Sequence, residues 1–94
     1  MTVDEAVEKP LSAEMDSIDS LLLVARTYAA AEGLDLSTVS WRSTGDTKKL
    51  AAIVAGADIQ MRRFEKTMRW FSENWTDAAP WPAEVVRPGV QVSA

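Results

Sequence analysis

The sequence predicts an all-α fold, a compact four-helix domain, from three observations. Apolar residues recur at steps of three and four in two long stretches, the period of a helix face turned toward a core. Glycines at 33, 45 and 56 divide the chain into helix-sized pieces, each preceded by a stretch that can be helical. The 94 residues contain no cysteine, and at this size a single helical bundle folds without a disulfide or metal staple.

Residues 1–11 have little apolar periodicity and one proline, so they are expected to form a flexible acidic arm. The first helix is expected to start near Ser12 or Ser17 and run to Glu32, with Ile18, Leu21, Leu22, Ala25, Tyr28 and Ala29 on its apolar face and Gly33 as its stop. Asp35 or Ser37 can cap a short second helix over 37–44, ended by Gly45. Asp46 can cap a third over 47–55, whose apolar edge is Leu50, Ile53 and Val54, with Gly56 as the break. The fourth, over about 59–74, carries Met61, Phe64, Met68, Phe71 and then Trp75, the strongest amphipathic stripe in the chain. Pro80, Pro82 and Pro88 forbid regular helix after it, leaving residues 76–94 as an extended tail in which Trp81, Val85 and Val86 can dock. The expected organisation is an arm (1–11), one helical domain (12–75) and the tail (76–94).

Composition narrows the function. Without histidine there is no ordinary general base near neutral pH, and without cysteine or histidine the two commonest transition-metal ligands are missing. The carboxylates and lysines stand in no catalytic motif, and there is no glycine-rich phosphate loop. The expectation is therefore a protein that is not an enzyme and needs no cofactor or metal. The acidic start lacks a basic segment followed by an apolar run, and no apolar stretch nears the roughly 20 residues that span a bilayer. Together with the missing cysteine this points to the cytoplasm and away from membranes.

The net charge is −4, but it is unevenly spread. Residues 1–36 hold eight acids and two bases, and the segment after residue 70 is also net acidic. Between them, residues 37–70 hold seven bases (Arg42, Lys48, Lys49, Arg62, Arg63, Lys66, Arg69) against Asp46, Asp58 and Glu65. A basic island between acidic ends fits a surface that faces a polyanion, and it also fits a solvated basic helix face.

Two short helices meeting at a glycine turn, with one helix before and one after, give the element order of a helix-turn-helix. Ser40, after Val39, is small where the two short helices must approach, and Leu50 and Ile53 can anchor the second of them. The stretch Leu50-Ala51-Ala52-Ile53-Val54-Ala55-Gly56, with Met61-Arg62-Arg63-Phe64-Glu65-Lys66-Thr67-Met68 after it, resembles the recognition helix, terminal glycine and following helix of the phage Cro and CI type (XRE-like) repressors. This resemblance covers residues 18–75 and implies a DNA-binding regulator, usually a repressor acting as a homodimer on paired half-sites. Trp70-Phe71-Ser72-Glu73-Asn74-Trp75 is similar to the end of small regulators of alphaproteobacterial genomes and mobile elements. A rival register also exists: Gly33-Leu34-Asp35-Leu36-Ser37-Thr38-Val39-Ser40 resembles the turn and recognition helix of the LacI repressors, but it would put Arg42 and Glu32 at core positions.

In the later register Thr47, Lys48, Lys49, Ala51 and Ala52 face outward at the start of the third helix and are the candidate base readers. Lysine donates to guanine, threonine bonds either way, and alanine touches a thymine methyl. Ser37, Thr38, Arg42, Arg62 and Arg63 are the candidate phosphate contacts, while Lys66 and Arg69 carry no assignment. Trp70 and Trp75 are expected in the core, and Trp41 to cover helix 1 or a partner. The expected partners are double-stranded DNA and a second copy of the chain, against which Trp81, Val85 and Val86 can bury instead of docking on their own domain. The alternative is a protein-interaction module, such as an antiactivator or phage-type inhibitor, that keeps the same helical fold.

Overall fold

A computed structural model describes residues 16–89. Four helices follow in order, α1 (Ser17–Glu32), α2 (Leu36–Thr44), α3 (Lys49–Val54) and α4 (Met61–Glu73), and the described residues contain no strand. None of these helices is long and apolar enough to cross a membrane. The arm expected over 1–11, the alternative start of helix 1 at Ser12 and the last five residues of the tail lie outside the described residues.

Each helix begins and ends for a local reason. Asp16 Oδ1 accepts the Asp19 N–H at 2.8 Å and so caps α1. At the far end Gly33, at φ 68°, adopts the left-handed conformation that a β-carbon would strain, and its N–H returns to the Ala29 carbonyl. Asp35 repeats the start signal for α2, accepting the Thr38 N–H at 2.8 Å and the Ser37 hydroxyl at 3.1 Å. The hydroxyl and backbone amide of Thr38, then the Ser37 hydroxyl, hold the Asp35 carboxyl below the usual carboxylate range. A depressed folded-state pKa gives stability that is complete above the unfolded value and is lost as pH falls through the folded one. Thermal melts of wild type and Asp35→Asn should therefore differ most near neutrality, and the gap should shrink as the pH falls below the ordinary aspartate value of about 4.

The turn between α2 and α3 is stitched by one side chain. Ser40 is fully buried; its Oγ accepts the Leu50 N–H at 3.0 Å and donates to the Asp46 carbonyl. The small serine thus lets α3 approach α2 and supplies a partner for a backbone amide at the start of α3. Ser40→Ala would leave a buried N–H unpaired, at a cost of about 1–3 kcal/mol. Amide exchange at Leu50 should speed up in that variant, while exchange at Val24 in α1 should follow only the global loss.

Several element boundaries differ from expectation; α2 begins at Leu36 rather than Ser37 and α4 ends at Glu73 rather than Asn74, and the larger shifts are in α3 and at the start of α4. α3 spans six residues, not 47–55, because Asp46 Oδ1 accepts the Lys48 N–H at 2.8 Å and closes a local turn before the helix starts. Lys48 occupies the cap position with no side-chain cap bond. α4 begins at Met61 rather than near residue 59, after extended Gln60. As a result Met61, 61% exposed, is no part of the core stripe, which starts at half-buried Phe64, and Val54, 44% exposed, lies off the buried edge of α3.

The core gathers Leu21, Val24, Ala25 and Tyr28 from α1, Val39 from α2, Leu50 and Ile53 from α3, and Met68 and Phe71 from α4. Tyr28 is the hub of an aromatic cluster, with ring centroids 5.7 Å from Trp70, 5.6 Å from Phe71 and 5.9 Å from Trp75. The segment after α4 folds back onto this cluster. Trp81 stacks edge-on against Trp75 at 4.9 Å and donates its Nε1–H to the Val85 carbonyl at 2.8 Å. Val85 joins the core, whereas Val86 is exposed. Arg87 secures the segment through its Nη2, which donates to the Ser72 carbonyl at 2.8 Å, and through its guanidinium, 5.3 Å from the Trp81 ring. Trp81 and Val85 are thus satisfied within this chain, where the sequence had left a second copy open as their cover.

Candidate nucleic-acid interface

Five of the seven bases of the basic island, Arg42, Lys49, Arg62, Arg63 and Lys66, line two adjoining hollows. An open groove of about 560 Å³ runs between the C-terminal end of α2, with Arg42, Ser43, Thr44 and Gly45, and the first three turns of α4, with Arg62, Arg63, Lys66, Thr67 and Trp70. Gln60 completes the lining, and no carboxylate belongs to it. Four of the chain's ten lysines and arginines therefore share one concave site in a protein of net charge −4. Cations crowded in a cleft raise the local concentration of anions more than the same charges spread over a convex surface.

Helix spacing explains the convergence. Arg62, Lys66 and Trp70 are four residues apart and stack on one stripe of α4, with Arg63 and Thr67 on the adjacent row. Thr67 is buried with its hydroxyl donating to the Arg63 carbonyl at 2.8 Å, so this polar residue sits in the groove floor without an unmet bond. Arg63 reaches across, its Nη2 donating to the Thr44 carbonyl at 3.1 Å. That bond fills an open carbonyl at the end of α2 with a cation, which the helix dipole favours, and it joins the two walls.

A second hollow extends the surface toward α3. Lys49, Asp58, Ile59, Gln60 and Arg63 line it, so Gln60 and Arg63 are common to both. Lys49 Nζ lies 3.5 Å from the Asp58 carbonyl oxygen, at the first residue of α3. The basic strip thus runs from Lys66 and Arg62 through Arg63 to Lys49, with Arg42 on the facing wall.

The candidate residues divide accordingly. Arg42, Arg62 and Arg63 come together in the groove, and Lys49 flanks it. Thr47, Lys48, Ala51 and Ala52 are exposed in and just before α3 but line neither hollow. Ser37 and Thr38 are in the first turn of α2, at the opposite end from Arg42, and both engage Asp35. The carboxylate there occupies the amide and hydroxyl that a phosphate would use. Lys66, Gln60 and Trp70 were not among the candidates; the four-residue spacing of Arg62, Lys66 and Trp70 is the sequence feature that links them to Arg62. Arg69 falls on the other side of α4, where it shares a hollow with Glu65 and Glu84. Trp41 is 59% exposed.

No family model, curated protein or solved structure matches the chain.

Proposed function

We propose that this protein is a sequence-specific DNA-binding transcriptional regulator, a repressor without enzymatic activity, in which α2, the Gly45–Lys48 turn and α3 serve as a helix-turn-helix. The observation that carries this reading is the acid-free groove of Arg42, Arg62, Arg63 and Lys66, continuous through Arg63 with Lys49 at the start of α3. Phosphates on one strand would seat along the groove and fix orientation, while Thr47, Lys48, Lys49, Ala51 and Ala52 meet base edges. Burial of Leu50 and Ile53, with Arg42 exposed, supports the register in which α3 rather than α2 reads the bases. A regulator of this kind binds paired half-sites as a homodimer.

The test is fluorescence anisotropy of the full chain with the DNA upstream of its own gene and with unrelated duplex, over a salt series. Preferential, saturable binding that weakens steeply with salt is the expected result, because each neutralised phosphate contributes about −0.9 to the slope of log affinity against log salt. Lys48→Glu with Lys49→Glu should remove the preference for the upstream DNA. Absence of binding at low salt would refute the reading.

Trp41 favours a second reading, a protein-interaction module of the antiactivator or inhibitor kind. A tryptophan exposed over 59% of its surface is a frequent anchor of protein interfaces. Under that reading Trp41→Ala abolishes capture of a regulatory protein, and the double lysine substitution leaves it intact.

A further inference from the structure

We propose that the α2–α4 groove is also a binding site for a nucleoside polyphosphate, which occupies the cations that would otherwise hold DNA. The binding itself stands apart from the proposed function; its regulatory consequence, displacement of DNA, rests on that reading.

Charge and aromaticity are segregated along α4. Arg62, Lys66 and Trp70 lie on one stripe of the helix and span roughly 12 Å from first to last, at about 1.5 Å per residue. One end of the stripe is therefore cationic, with Arg63 on the adjacent row, and the other end is aromatic, while Arg42 lines the facing wall. A nucleotide has this same polarity, with several negative charges at one end and a flat base at the other. Arginine forks and a lysine ammonium pair with phosphate oxygens, and an indole in the groove wall can stack on a base.

A duplex backbone accounts for the cations but not for the aromatic end. Phosphates on a duplex are met by side chains that project from the surface, whereas Trp70 is half-buried in the groove wall and packed edge-on against Tyr28 and Phe71, at 5.7 and 5.3 Å between centroids. Such packing fixes the ring, so no side-chain freedom is lost when a base stacks on it. The groove's volume of about 560 Å³ falls within the roughly 300–1,000 Å³ of small-ligand sites. No carboxylate in the lining opposes a polyanion.

Isothermal titration of the full chain with ATP and GTP, and in parallel with inorganic tripolyphosphate and with adenosine, tests this at low salt. The expected result is saturable one-to-one binding of a nucleoside triphosphate at least tenfold tighter than tripolyphosphate, with adenosine weaker than either. Arg62→Glu and Lys66→Glu change exposed side chains and should each weaken that binding tenfold or more, while Arg69→Glu, on the other side of α4, should leave it unchanged. Tripolyphosphate as tight as the nucleotides would overturn the proposal by showing that the aromatic end holds no base. Lack of saturable nucleotide binding, or nucleotide binding indifferent to Lys66→Glu, would overturn it equally. With labelled upstream duplex present, bound nucleotide should release the DNA. Duplex binding with no nucleotide binding removes this inference alone, and nucleotide binding without duplex binding removes the DNA reading alone.

Discussion

Reversing Arg42, Arg62 and Lys66 to glutamate should weaken binding to upstream DNA by a hundredfold or more at fixed low salt, and flatten the salt dependence. All three side chains line the same groove, on opposing walls, and none belongs to the buried core. A hydrogen bond to a charged partner contributes about 1.5–3 kcal/mol, so removing three such bonds is more than sufficient for the affinity change. Reversal also adds repulsion where attraction stood. Every phosphate left without its cation should reduce the salt slope by about one, so the triple variant should fall short of wild type by close to three units. Circular dichroism and the melting temperature should stay close to wild type. Affinity and slope both unchanged would move the DNA surface elsewhere. Ser37→Ala makes a useful contrast: with that hydroxyl bonded to Asp35 at the other end of α2, it should alter DNA affinity little.

The second large effect is on stability. Phe71 is fully buried and touches both Tyr28 and Trp70, at 5.6 and 5.3 Å between ring centroids. Removing its ring deletes buried apolar surface and leaves a cavity that the rigid aromatic neighbours cannot fill. Phe71→Ala should cost about 3–5 kcal/mol. For a domain of this size that lowers the melting temperature by roughly 12 °C or more and removes a large part of a total stability of about 5–15 kcal/mol. Thermal denaturation followed by circular dichroism measures it directly. Val86→Ala, at a position 89% exposed beside buried Val85, should change stability by less than about 0.5 kcal/mol. If the two variants melted alike, the tail and aromatic cluster would not pack as described.

Local chemistry wrote the helices plainly enough to be read. The 3.6-residue period of α1, the glycines that accept positive φ at 33 and 45, and the side-chain cap at Asp35 depend on residues within one or two turns of each other. The boundaries that differ do so for local reasons that compete with the helix period. Asp46 caps a turn before α3 instead of α3 itself, and extended Gln60 delays the start of α4, leaving Met61 in solvent.

The site was legible in part. A charge census finds the basic island, and three of the five candidate phosphate contacts converge in the groove. Ser37 and Thr38 have the chemistry to hold phosphate, but the same hydrogen-bonding capacity serves Asp35, a competition that spacing alone does not resolve. Lys66 and Trp70 escape a reading of the sequence because one looks like solvated charge and the other like core, and at the edge of a groove each is partly both.

What the sequence by itself determined is the all-helical class, the number and order of the helices, and the residues that furnish most of the core. These follow from periodicity and caps, interactions of short range along the chain. Tertiary structure alone decided that Arg42 faces Arg62, Arg63 and Lys66, that Arg69 points elsewhere, and that Trp81 and Val85 close over the chain's own aromatic cluster. The physical reason is that these arrangements depend on how helices turn about their axes when their apolar faces meet, and that rotation is set by packing across the core, not by neighbours in sequence.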